Sequence, residues 1–159
     1  MGTDLPVTET QVWSGGCQCG AIRFRVRGVP ARVAVCHCRM CQKAMGGPFM
    51  AYVTAQPGAL EWTRGEPAYW RSSAIARRGF CATCGTPMGW VSDETGAFDL
   101  TLGCFDNASA LTPAAHDGVE ARLPWVMRLG LEHWPERETR PAPEVVQSRQ
   151  HPDRDTPNS

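Results

Sequence analysis

The stretch VCHCRMCQ, residues 35–42, sets Cys36, Cys38 and Cys41 within one short segment. Two further sets flank it: Cys17 and Cys19 in GGCQCGAI (15–22), and Cys81 and Cys84 in GFCATCGTP (79–87). Only Cys104, in LGCFD, stands apart among the eight cysteines. Sulfurs two or three residues apart converge on a tetrahedral metal such as zinc at about 2.3 Å. Disulfides fit poorly, because the residues of a CxC pair lie too close in sequence to bridge each other easily. A thioredoxin-like redox pair at CATC would need a helix after its first cysteine, and GTP follows at once.

Ligand arithmetic suggests a division. Cys17, Cys19, Cys81 and Cys84 make a closed set of four, and Cys36, Cys38 and Cys41 a second set one ligand short. Spacing alone does not fix which pair meets which set. The closed set would be structural, its binding free energy counting toward folding. Gly16, Gly20 and Gly85 lie where a turn wrapping a metal needs positive φ or aims N–H groups at anionic sulfur.

Around these sets the chain reads as short strands. AIRFRV alternates Ile22, Phe24 and Val26 against Arg23 and Arg25, the period of a half-buried strand. RVAVCH, FMAYVT, LEWT, PAYWRS, MGWV and FDLTLG follow, separated by glycine and proline turn signals. The expected class is mainly antiparallel β. A short helix or turn is expected from about Cys38, and another near Asp106 to Leu111.

The 159 residues suit one domain, with a loose leader at 1–11, a body at 12–134, and a flexible tail at 135–159 rich in proline and charge. Formal charge is zero, so nothing global draws the protein to nucleic acid or to an anionic membrane. MGTDLPVTETQVW carries acids where a secretory signal carries basic and then apolar residues, and no apolar run is long enough to span a bilayer. The expected location is the cytoplasm, where thiols stay reduced.

The order CxC, CxCxxC, CxxCG, within GGCQCGAIRF, VCHCRMCQKAMGGPFMAYV, RGFCATCGTPM and LPWV, resembles the glutathione-dependent formaldehyde-activating enzyme family, which includes centromere protein V. The resemblance spans about Trp13 to Trp134. It implies a zinc-stapled β-tent with two zinc ions. Cys17, Cys19, Cys81 and Cys84 take the structural ion, and Cys36, Cys38 and Cys41 a second ion at a catalytic centre. The implied activity is that of a carbon–sulfur lyase on a thiol adduct such as S-hydroxymethylglutathione, with glutathione or another small thiol as partner. The alternative is a zinc-stabilised binding module without chemistry. Nucleic-acid binding is disfavoured by the charge balance and the lack of an aromatic and basic stripe.

Cys104 has three readings: a buried apolar residue, a fourth ligand closing the second site, or a free thiol near it. His37 alternates with Cys36 and Cys38, which turns it away from both in an extended segment and assigns it to packing or surface. Arg39 and Lys43 flank the second set, where they either steer substrate carboxylates or are ordinary solvated cations. Arg77 and Arg78 read as a solvated strand face. Trp62, Trp70, Trp90, Trp125 and Trp134 read as core and rim aromatics, and His116 and His133 as surface residues.

Overall fold

The computed structural model describes residues 11–131 and 148–158. The expected leader, apart from Gln11, and most of the expected tail lie outside these residues, as do His133 and Trp134.

The described residues form ten strands in two sheets, with one α-helix and several single 3-10 turns. The smaller sheet joins β1 (Val12–Gly16), β2 (Arg23–Arg27) and β5 (Leu60–Arg64) in the order β1-β2-β5. The larger runs β10-β3-β4-β9-β8-β7-β6, with β3 at Arg32–Cys36, β4 at Met50–Thr54 and β6 at Ala68–Ser73. Its remaining members are β7 (Ala76–Phe80), β8 (Pro87–Ser92), β9 (Phe98–Thr101) and β10 (His116–Asp117). All pairings are antiparallel except the short β10 to β3 contact. The mainly β class read from the sequence holds.

Residues opposite one another on adjacent strands share a face of the sheet. In the larger sheet one face carries Val53, Leu100, Phe98 and Val91, through the register Val53 to Leu100 and Phe98 to Val91. These pack with Phe24 and Val26 of the smaller sheet into the main core, where Phe24, Val26, Val53 and Leu100 are fully buried. Trp62 lies edge-on to both Phe24 and Phe98, at ring-centre separations of 5.9 and 5.5 Å, and so bridges the sheets. The other face carries Cys36 opposite Met50, Ala34 opposite Tyr52, and the run Asp99, Trp90, Arg78 and Trp70 across four strands. That second face builds the site.

The helix α1 (Arg39–Met45) lies on the same side. Cys38 is its N-cap, with the sulfur accepting the Cys41 N–H, and Gly46 ends it in the left-handed conformation at φ 64°. The sequence places this helix correctly, and the turn expected near Asp106 to Leu111 is a 3-10 turn at Ala108–Ala110.

Residues 148–158 lie against the smaller sheet. Asp155 accepts from Arg23 and Arg25, Arg64 donates to the Thr156 and Pro157 carbonyls, and the His151 N–H donates to the Gln18 carbonyl. Composition alone assigns these residues to a loose tail. It does not register that Arg23 and Arg25 share one face of β2 and together seat Asp155.

Candidate metal centres and their cleft

Cys17 and Cys19 occupy the turn between β1 and β2, and Cys81 and Cys84 the turn between β7 and β8. All four sulfurs lie within 4.8 Å of one another, so this set links the smaller sheet to the larger one. Gly20 and Gly85 sit in the two turns at φ 78°, a conformation that only glycine adopts cheaply. Gly16 differs: its φ is not positive, and its need is space, since a Cβ there would collide with the Ile22 carbonyl.

Cys36, Cys38 and Cys41 also bring their sulfurs within 4.8 Å of one another, from the end of β3, the helix cap and the helix itself. The three-residue step from Cys38 to Cys41 is nearly one helical turn, which returns the second sulfur to the side of the first. Among the described residues no fourth histidine, cysteine, aspartate or glutamate completes this set. The sulfurs open instead into a cleft of about 250 Å³ that is also lined by Met50, Tyr52, Arg78, Trp90, Asp99 and Asp117.

Proton affinities show crowded sulfur. Burial pushes the Cys36 thiol up to about 12. Burial also works against ionisation of Cys38, but the Cys41 N–H and the neighbouring thiols outweigh it and hold Cys38 below the usual thiol value. In the four-sulfur set, burial at Cys84 is overcome by the Thr86 hydroxyl and N–H, which hold it near about 6. Cys19 rises to about 12 despite the Ala21 N–H, under burial and hydrogen bonds to the other three thiols. Clustered thiols without a cation ionise one at a time, and a soft divalent cation removes that conflict. Backbone donation from Ile22 to Cys17 at 3.3 Å and from Cys41 to Cys38 at 3.4 Å suits thiolate ligands. Both sets therefore fit a metal ion.

The surroundings of the open set correct one sequence reading. Arg78 is not part of a solvated face: it is 8 % exposed and its guanidinium donates to the Cys41 sulfur at 3.4 Å. Neighbours in a strand point to opposite faces, so Arg77 and Arg78 cannot share a role. Arg77 is the solvated one, paired with Asp93 and lying over the Tyr69 ring. Cys104 belongs to neither set. It is 6 % exposed, its thiol donates to the Pro87 carbonyl, and burial raises its pKa to about 12, in keeping with an inert packed residue.

His37 is fully buried and turned away from the sulfurs, with Nε2 2.9 Å from Nδ1 of His116 and the two rings stacked. Its backbone carbonyl accepts the Gln42 side-chain amide, which ties the cysteine segment to α1. His116 is exposed as expected, and Trp62 packs against the core. Trp90 lines the cleft, and Trp70 is 64 % exposed at the edge of a neighbouring cavity. Arg39 and Lys43 border that cavity.

Sequence reasoning missed Tyr52, Asp99 and Asp117. Tyr52 donates to Asp117, Arg32 bonds to both, and Asp99 accepts from the Thr54 hydroxyl. Burial pushes Tyr52 and Asp99 to higher pKa. The alternation in FMAYVT could have placed Tyr52 on a defined face. Nothing in the local sequence marks Asp99 or Asp117, which arrive from distant strands.

A crystal structure of a Rhodobacter sphaeroides protein matches 65 % of this chain and 98 % of its own at a TM-score of 0.53 and 22 % identity, a likeness of fold. A Schizosaccharomyces pombe protein named as an uncharacterized lyase is 32 % identical over 76 residues, which span 48 % of this chain and 55 % of that protein. Residues 12–120 match the family described as glutathione-dependent formaldehyde-activating enzyme, a stretch that contains both cysteine sets and every strand of the described residues, and the chain belongs to that family.

Proposed function

We propose that the protein is a zinc-dependent carbon–sulfur lyase, joining and parting a thiol, glutathione or one like it, and an aldehyde carbon. The observation that carries this reading is the three-sulfur set facing an open cleft, with Arg78, Tyr52 and Asp99 around it. Membership of the family and the likeness to a protein named a lyase support it. Cys36, Cys38 and Cys41 would hold one zinc ion, and Cys17, Cys19, Cys81 and Cys84 the other. Zinc held by three thiolates supplies an electrophilic position that favours the thiolate form of a substrate thiol at neutral pH.

The chain's own groups account for the protons. Arg78 beside Cys41 contributes fixed positive charge next to the reacting sulfur. Asp99, its pKa raised by burial, takes the proton from the incoming thiol. The sulfur electron pair forms the bond to carbon while the carbonyl π pair moves to oxygen, and Asp99 returns the proton to that oxygen. Thiol plus aldehyde gives the hydroxyalkyl thioether with atoms balanced, and the reverse sequence parts them. Tyr52, held protonated by burial and by Asp117, is a hydrogen-bond donor at the cleft wall.

The test is calorimetric titration of the zinc-loaded protein with glutathione, with and without formaldehyde, alongside sulfur counting at the metal edge. Binding with a fourth sulfur at one of two ions is expected. Absence of binding by any small thiol at millimolar concentration, glutathione, 3-mercaptopropanoate and a bulkier apolar thiol alike, would remove the lyase reading and leave a metal-stabilised binding module.

A further inference from the structure

The cysteine cleft does not stand alone. A cavity of about 570 Å³ adjoins it, and Met40 and Arg78 line both. A volume in this range holds a whole small molecule. Its walls are apolar, with Met40, Met45, Trp70 and Phe80 prominent. Three of these are large apolar side chains left open to solvent: Met40 is 57 %, Trp70 64 % and Phe80 36 % exposed. Exposed apolar groups gathered around a concavity mark a binding surface more than a solvated one. The placement follows from strand register, since Trp70 pairs with Arg78 and so stands on the same sheet face as the site.

Charge narrows the occupant further. Arg39 and Lys43 border the cavity on the helix side, and among the described residues no carboxylate lines it. Glutathione carries two carboxylates, but also an ammonium group and a strongly polar peptide body. The cations suit a carboxylate, while the ammonium would find no anionic partner in this lining and the peptide groups would face hydrocarbon.

We propose that the protein's preferred substrate is the adduct of a thiol bearing a carboxylate and a bulky apolar group, such as an aromatic ring. Its sulfur enters the cysteine cleft, its ring rests against Trp70, Met40 and Phe80, and its carboxylate faces Arg39 and Lys43. This inference rests on the lyase reading and adds the substrate class to it.

The test compares three thiols by calorimetry on the zinc-loaded full chain: 3-mercaptopropanoate, 2-benzyl-3-mercaptopropanoate and glutathione. Burial of the benzyl group is expected to tighten binding over 3-mercaptopropanoate by roughly tenfold to a hundredfold, with glutathione weaker than the benzyl compound. Trp70 is mostly exposed, so Trp70→Ala should fold normally. That variant should lose most of the benzyl gain and keep its affinity for 3-mercaptopropanoate. Lys43→Glu should weaken the benzyl thiol several-fold and leave its carboxamide analogue unchanged. Glutathione binding as tightly as the benzyl thiol, or a benzyl gain untouched by Trp70→Ala, overturns the substrate class while the lyase reading stands. Failure of all three thiols to bind overturns both. Sedimentation as a dimer that Trp70→Ala dissolves would make a second copy the occupant and also overturn the proposal.

Discussion

Arg78 shows how much one side chain's direction decides. Burial raises the Cys41 thiol, and the adjacent guanidinium works against that rise. Replacing it by an apolar residue of similar length removes the charge with little change in volume. Arg78→Met is expected to lower kcat/KM for thiol and aldehyde exchange by about 100-fold, with both metal ions retained by elemental analysis. Cys104 is the opposite case, a cysteine whose chemistry is silenced by packing. Cys104→Ser keeps a donor for the Pro87 carbonyl, so two metal ions per chain should remain and stability should change by about 1 kcal/mol. Loss of the second ion in that variant would return Cys104 to the ligand set.

At the scale of elements, the C-terminal segment is the feature most sensitive to conditions. Hydrogen bonds from Arg25, then from Arg23, hold the Asp155 carboxyl below its ordinary value. A carboxyl with a depressed pKa in the docked state contributes attraction that is complete above its free value of about 3.9 and is lost as pH falls through the docked one. Protection of the amides across His151 to Asn158, taken relative to the intrinsic exchange rate at each pH, should therefore be strong at about pH 5 and lost at about pH 2. Asp155→Asn should remove that protection at both.

The legibility of elements followed their patterning. Strands with alternating apolar residues, such as β2 and β4, stand out in the sequence. β7 is marked only by the strand face read at Arg77 and Arg78, because ARRGF offers two arginines and a glycine, and its place is fixed by pairing to β6 and β8 on both sides. β1 was hidden in the same way by VWSGG, whose glycines pack against Phe24, Ile22 and the Cys104 carbonyl. The FDLTLG run is a strand only to Thr101, where a 3-10 turn takes over at Leu102.

For the whole molecule, the two cysteine sets predict separable failures. The four-sulfur set joins turns that belong to different sheets, so a metal held there would count toward the fold. Cys84→Ser or a strong chelator should lower Tm and broaden melting, followed by circular dichroism. Cys38→Ser breaks a set confined to β3 and α1 on one side of the larger sheet, so the fold should persist while thiol binding disappears. Equal loss of structure in both variants would contradict this division.

The local cysteine sets could be read along the chain because cysteines suited to a metal come in spacings of two or three residues, and the half-buried strands because their side chains alternate. The arginine beside Cys41, the aspartates of the cleft wall and the apolar cavity next door were set by tertiary structure alone. Their members come from separate strands and the helix, and only sheet register, which couples residues far apart in sequence, brings them to one face.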